Sequence, residues 1–338
     1  MAKYFERYTC PDFIVTGARQ TLDVLEEKLG IPPGTSVRPT KLGSGFDAAY
    51  FQVNEDLNLS ASGIQMLAIR PRTAQEHDEV VGTKLRAMLL AYITSQPLHR
   101  PVVSHVTALG TRSQEEVDEV IEILRSRNVP HMTCISNVYI GLVEENGRIH
   151  YDPAVDGNTL LEFANAVSNF PGLTVPPVMP AEPEVVQLPP GALVRPLARV
   201  QLVSNADAVI DRLRAICDFP EDDQLEYAEG DGYRSIIVKP NHPLSAVWEL
   251  LEPTDGENRA GEALAQYGPG VWTVRIGVFG LGAKLDDLDK RGTRWTAVED
   301  SPSGDKRVAL NRWDLRGLTI ELEDLPVVHR GEGSHVVV

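Results

Sequence analysis

The chain has 338 residues, enough for two domains of ordinary size, with 42% hydrophobic and 24% charged residues. Forty-eight acids against 32 bases leave a net charge of −16 and no extended basic patch, which excludes nucleic acid as the expected partner. No apolar run approaches the roughly 20 residues of a membrane span, so no membrane partner is expected. The first residues, MAKYFERYTC, carry no apolar core and predict no signal peptide. Three widely spaced cysteines, Cys10, Cys134 and Cys217, do not make a disulfide framework and point to a reducing cytoplasm.

In chain order, a short apolar strand leads into an amphipathic helix and then two or three strands, four times over. The first copy runs FIVTG, ARQTLDVLEEKLG, AAYFQV and GIQMLAI. The second runs VSHVTALG, SQEEVDEVIEILRSRNV, NVYIGLV, GRIHY and TLLEFA. The third has ARVQLVS, NADAVIDRLRAICDF, YRSIIVKP and SAVWELLEP. The fourth has VWTVRIGVF, LGAKLDDLDKRGT, RWTAVED, KRVALN and LTIELED. Val117, Val120, Ile121 and Leu124 share one helix face, as do Val209, Leu213 and Ile216. Each copy is a βαβββ module. Modules one and two are joined by a predicted helix over residues 76–96, and modules three and four by a shorter one, GENRAGEALAQYG. Residues 170–196 are proline-rich without helical period and read as an extended linker. The expected division is 1–169, linker 170–196, and 197–338.

One position stands out. The turn YDPAVDGN runs into the strand TLLEFA, where Glu162 sits between Leu161 and Phe163. An acid inside such a strand either faces water or holds something.

Four such modules in two pairs resemble the vicinal oxygen chelate superfamily. The residues that carry the resemblance are WELLEPTDGENRAGEALAQYGPGVWTVRIGVF (248–279), DKRGTRW after the next helix, and YDPAVDGNTLLEF (151–163). The resemblance implies an α+β fold in which four βαβββ modules pair into two cup-shaped, mostly antiparallel sheets with helices outside. It also implies a divalent metal (Fe(II), Mn, Ni, Zn or Co) held by first-strand and last-strand side chains. A metal-free protein of the same fold is the alternative, since cup-shaped sheets make apolar pockets needing few polar groups. Modules are expected to pair sequentially, with one-plus-four and two-plus-three pairing left open.

By this resemblance His105 and Glu162 occupy the ligand positions of the second module. In the first module Cys10 or Asp12 and Gln65 fall at the corresponding places. In the C-terminal pair Ala198 or Arg199 and Thr273 replace the first-strand histidines, while the carboxylates Glu249 and Glu321 remain as candidates for proton chemistry. Tyr139, His150 and Tyr151 lie on the second module's strands as further catalytic candidates. The expected function is a metal-dependent enzyme of ring-cleaving dioxygenase, isomerase or lyase type, acting on a small oxygenated organic molecule. The alternative is a metal-free binder or acid–base enzyme. A small-molecule substrate is the expected partner, and a homodimer is left open.

Overall fold

A computed structural model describes residues 4–8, 12–15, 17–32, 37–39, 46–54, 63–69, 106–134, 137–145, 148–151 and 160–165 of the N-terminal half, with part of 86–94. It then describes 185–298, 306–330 and 333–337. His105, Cys10 and residues 170–184 of the expected linker lie outside this set.

The first module comprises β2 (Asp12–Val15), α1 (Ala18–Leu29), β3 (Val37–Pro39), β4 (Phe46–Gln52) and β5 (Gly63–Ile69); β1 (Arg7–Tyr8) precedes it. The second has β6 (Val106–Thr111), α2 (Gln114–Ser126), β7 (His131–Cys134), β8 (Asn137–Ile140), a hairpin of β9 (Leu142–Glu145) and β10 (Arg148–Tyr151), and β11 (Leu160–Asn165). Their sheets are ordered β2-β5-β4-β3 and β1-β6-β11-β8-β7, with β9 and β10 apart as a two-stranded ribbon. Of the helix expected over residues 76–96, the described residues 86–88, 90, 91 and 94 are helical.

After β12 (Val185–Val186), the third module has β13 (Ala192–Leu202), α3 (Ala206–Cys217), β14 (Leu225–Gly230), β15 (Tyr233–Val238) and β16 (Val247–Pro253). Helix α4 (Arg259–Tyr267) leads to the fourth: β17 (Gly270–Phe279), α5 (Leu281–Lys290), β18 (Trp295–Val298), β19 (Arg307–Leu310) and β20 (Ile320–Asp324). Strands β21 (Val328–Arg330) and β22 (Gly333–Val337) follow, with β22 pairing β12. The two C-terminal modules share one eight-stranded sheet, β14-β15-β16-β13-β17-β20-β19-β18, joined where β13 pairs β17 antiparallel. Modules three and four therefore pair sequentially.

The helices start and stop as their sequences dictate. Asn205 and Asn258 cap α3 and α4, their side-chain oxygens accepting from Ala208 N (2.9 Å) and Gly261 N (2.8 Å). Helix α1 ends at Gly30, whose φ of 71° suits a residue without Cβ. The apolar stripes are buried as the periodicity predicts: Val117, Val120 and Leu124 on α2, Leu213 and Ile216 on α3.

What those stripes pack against is less obvious. Helix α1 shares a core with α5 and with Val274, Ile276, Ile320 and Leu322 of the C-terminal sheet. Helix α2 shares another with α3, Phe163, Trp248 and Leu250. Module one thus lies on module four, and module two on module three, with helices between the sheets. Polar contacts follow the same pairing. Arg291, at the end of α5, donates to the α1 carbonyls of Glu26 (3.2 Å) and Glu27 (2.9 Å), and the Lys284 ammonium donates to Leu29 O at 2.7 Å. Arg127, at the end of α2, donates to the α3 carbonyls of Arg214 (3.2 Å) and Ala215 (3.0 Å) and pairs with Asp218. In both pairs an arginine just past one helix donates to carbonyls in the last turn of its neighbour.

Because the helix layers are shared, the two halves are expected to lose structure together. Leu25→Ala, at a fully buried α1 position within the core shared with the C-terminal sheet, is expected to cost about 2–5 kcal/mol. Urea denaturation followed by circular dichroism and by tryptophan fluorescence should give one coincident transition, shifted to lower urea.

Candidate functional site

Alternation along the C-terminal strands decides which side chains enter the cup. Trp248 and Leu250 of β16 face the helices, as do Val274 and Ile276 of β17 and Ile320 and Leu322 of β20. Glu249, Arg275 and Glu321, which lie between them, point to the other face. All three are nearly enclosed: Glu249 is 5% and Glu321 4% exposed, and the Arg275 side chain 11%.

The register brings them together. Glu249 is the neighbour of Val200 across β13–β16, and Glu321 is the neighbour of Arg275 across β17–β20. Ala198, Arg199 and Thr273 are thus not the first-strand residues beside the two carboxylates. Irregularities in the β13–β17 pairing, one of them between Val200 and Gln201, shift the register. Sequence counting placed Thr273 in the position that Arg275 holds. The available signal was a charged residue in the middle of the apolar strand VWTVRIGVF.

Arg275 lies among three carboxylates. Its Nη2 is 3.0 Å from Glu249 Oε2, and its Nε is 3.3 Å from Glu323 and 3.8 Å from Glu321. Burial alone would push the guanidinium down; the three carboxylates outweigh it and hold the group charged, above its ordinary value. The other oxygens of Glu249 and Glu321 have partners of their own. Ser235 Oγ donates to Glu249 at 2.8 Å, and Arg259 Nη2 donates to Glu321 at 2.7 Å while lying 4.5 Å over the Trp272 ring. Above this network is a cavity of about 290 Å³, lined among others by Trp272, Val200, Leu251, Tyr233 and Arg307.

A divalent ion does not fit this arrangement. The space between Glu249 and Glu321 is held by a guanidinium, which repels a cation and supplies no lone pair. Two carboxylates without an imidazole are also a poor set for a transition metal. Among the described residues no group of three His, Cys, Asp or Glu side chains is placed to hold a metal ion.

The N-terminal half presents Glu162 differently. Leu161 and Phe163 enter the helix-facing core and Glu162 the opposite face, 8% exposed. Asn137 Nδ2 donates to it at 2.6 Å, and Tyr139, its register partner on β8, also hydrogen-bonds to it. Burial raises its carboxyl to about 7, with the bonds from Tyr139 and Asn137 opposing that rise. Its neighbour on β6 is Ala108. Asp12 and Gln65 are register partners across β2–β5. His150 is exposed on the β9–β10 hairpin, where Tyr151 pairs with Leu142. Of the sequence candidates in this half, the structure brings Tyr139 to Glu162. Asn137, which the sequence reading missed, joins them; it shares strand parity with Tyr139.

Comparison with solved structures bears on the fold. A variant of 4-hydroxymandelate synthase from Streptomyces coelicolor aligns over 97% of this chain and 95% of its own, with a TM-score of 0.53 at 15% identity. The chain has the vicinal oxygen chelate fold. Methylmalonyl-CoA epimerase of S. coelicolor aligns over 39% of this chain and 97% of its own at 24% identity and a TM-score of 0.35. The Mycobacterium tuberculosis epimerase covers 38% and 86% at 20% identity and a TM-score of 0.34. No family model and no curated protein matches the sequence. Among the described residues no helix is long and apolar enough to cross a membrane.

Removing Arg275 leaves three carboxylates facing one another. Arg275→Met is expected to lower stability by about 3–5 kcal/mol, because it leaves buried charges uncompensated. The urea denaturation midpoint of the variant against that of the wild type reads this directly.

Glu162 has a pH-dependent signature. Its folded value lies above its ordinary 4.5, so the folded protein binds the extra proton between pH 4.5 and about 7. Stability present at pH 4.5 is lost as pH rises through that window, by up to about 3 kcal/mol. Glu162→Gln should lose this component, so the wild-type minus variant difference in urea midpoint should become more negative from pH 5 to pH 8. A constant difference would show that Glu162 titrates normally.

Proposed function

We propose that the C-terminal cup is a metal-independent binding site for a small organic molecule. The observation that carries this reading is Arg275, whose guanidinium supplies the positive charge between Glu249 and Glu321. The same strands that bring the carboxylates together bring their counter-ion, so the cup is electrostatically complete without an added cation. What remains open over it is a cavity with an aromatic wall, Trp272, and convergent polar groups, the arrangement expected of a small-molecule pocket.

A second reading has its own observation. Glu162, buried on the cup-side face with Asn137 and Tyr139 bonded to it, supports proton chemistry in the N-terminal half. It is also a carboxylate that, with His105 and with Asp12 or Gln65, would serve a divalent metal as the resemblance implies. The enzyme reading attaches to this half and the binding reading to the C-terminal one.

Small organic compounds that raise the melting temperature of the full chain identify ligands of the cup. Their affinities are expected to be the same before and after treatment with EDTA, and to fall by about tenfold or more in Trp272→Ala. A ligand whose binding is lost on chelation and restored by Mn²⁺ or Zn²⁺ would contradict the reading.

A further inference from the structure

We propose that the molecule this cup receives is an organic monoanion, its carboxylate held by Arg307 and its compact apolar body lying against Trp272. The inference rests on the pocket reading above and adds the chemical class of the ligand.

The evidence is a guanidinium with spare donors. Arg307 opens β19 and lines the cavity, and its side chain is only 10% exposed. Among the described residues its one ion pair is a long one, 3.8 Å from Nε to Glu323 Oε2, and that carboxylate also lies 3.3 Å from Arg275. Among the same residues Arg307 Nε, which is buried, has no hydrogen-bond partner. Arg275 and Arg259 each hold a shorter ion pair, with Glu249 at 3.0 Å and with Glu321 at 2.7 Å. A buried guanidinium presents a planar fork of donors that suits a carboxylate, and leaving those donors unmade is costly.

The charge count agrees. Among the described residues, the charged side chains that line the cavity are three guanidiniums, Arg259, Arg275 and Arg307, and two carboxylates, Glu249 and Glu321. The lining therefore carries one positive charge in excess, although the chain as a whole is strongly acidic. One ligand anion neutralises it.

The rest of the wall describes the ligand's body. Trp272, Val200, Leu251 and Ala260 offer apolar surface. The Tyr233 hydroxyl, buried and without a hydrogen-bond partner among the described residues, offers one further hydrogen bond. A volume of about 290 Å³ lies at the small end of ligand pockets, so the body is one ring or a short chain.

Matched acids and amides test this. Isothermal titration of the full wild-type chain with benzoate and benzamide, and with 3-phenylpropanoate and 3-phenylpropanamide, is expected to show each acid binding about tenfold or more tighter than its amide. Arg307→Gln, checked for folding by circular dichroism, should bring the acid down to the level of the amide. Tyr233→Phe, which removes an oxygen without a hydrogen-bond partner among the described residues, should keep the fold and the preference for acids while weakening both by a few-fold. Amides binding as tightly as acids in the wild type would overturn the inference and leave the pocket reading standing, as would an acid preference that survives in folded Arg307→Gln. If Arg307→Gln does not fold, the wild-type ratio decides. Binding of none of the four compounds would overturn the inference and count against the pocket as well.

Discussion

The C-terminal cup depends on one guanidinium. Three carboxylates converge on its inner surface from two last strands, and no sheet can bury them together without a counter-charge. Arg275 supplies it from the strand beside Glu321, so charge compensation is written into the β17–β20 register and not left to a solute. The consequence reaches beyond stability. A vicinal oxygen chelate cup with its own internal cation has no vacancy between its carboxylates, and whatever it binds must be recognised by the side chains above the network.

The two halves of the chain differ in how they handle a buried acid. In the C-terminal half, carboxylates are paired with guanidiniums. In the N-terminal half, Glu162 is held by neutral donors, Asn137 and Tyr139, and burial raises it to about 7. One half meets a buried acid with a counter-charge, and the other with neutral hydrogen-bond donors. The layers of helices between the sheets tie these different cups into one body, through paired apolar stripes and through Arg127 and Arg291, which occupy equivalent places at the ends of α2 and α5.

The architecture was largely legible in the sequence because it rests on local signals. Helix periodicity marked Val117, Val120 and Leu124, the stop at Gly30 closed α1, and the run from Trp248 to Phe279 laid out strand, helix and strand in the order found. Glu162 was legible as an anomaly, an acid between two core residues. Arg275 was the same kind of anomaly in VWTVRIGVF, yet its role depends on cross-strand register, and the irregular β13–β17 pairing cannot be counted from spacing. The contacts of α1 with α5 and of α2 with α3 join residues more than 80 positions apart. An exposed-looking arginine past a helix end carries no sign of which distant carbonyls it will cap.

The central claim is that a guanidinium occupies the space between Glu249 and Glu321. Anomalous diffraction from crystals of the full chain grown with millimolar Mn²⁺ addresses it most directly. The account predicts the Arg275 side chain between Glu249 and Glu321, and no manganese peak within coordinating distance of either carboxylate. A manganese peak bridging the two, with Arg275 displaced from the cup, would contradict it.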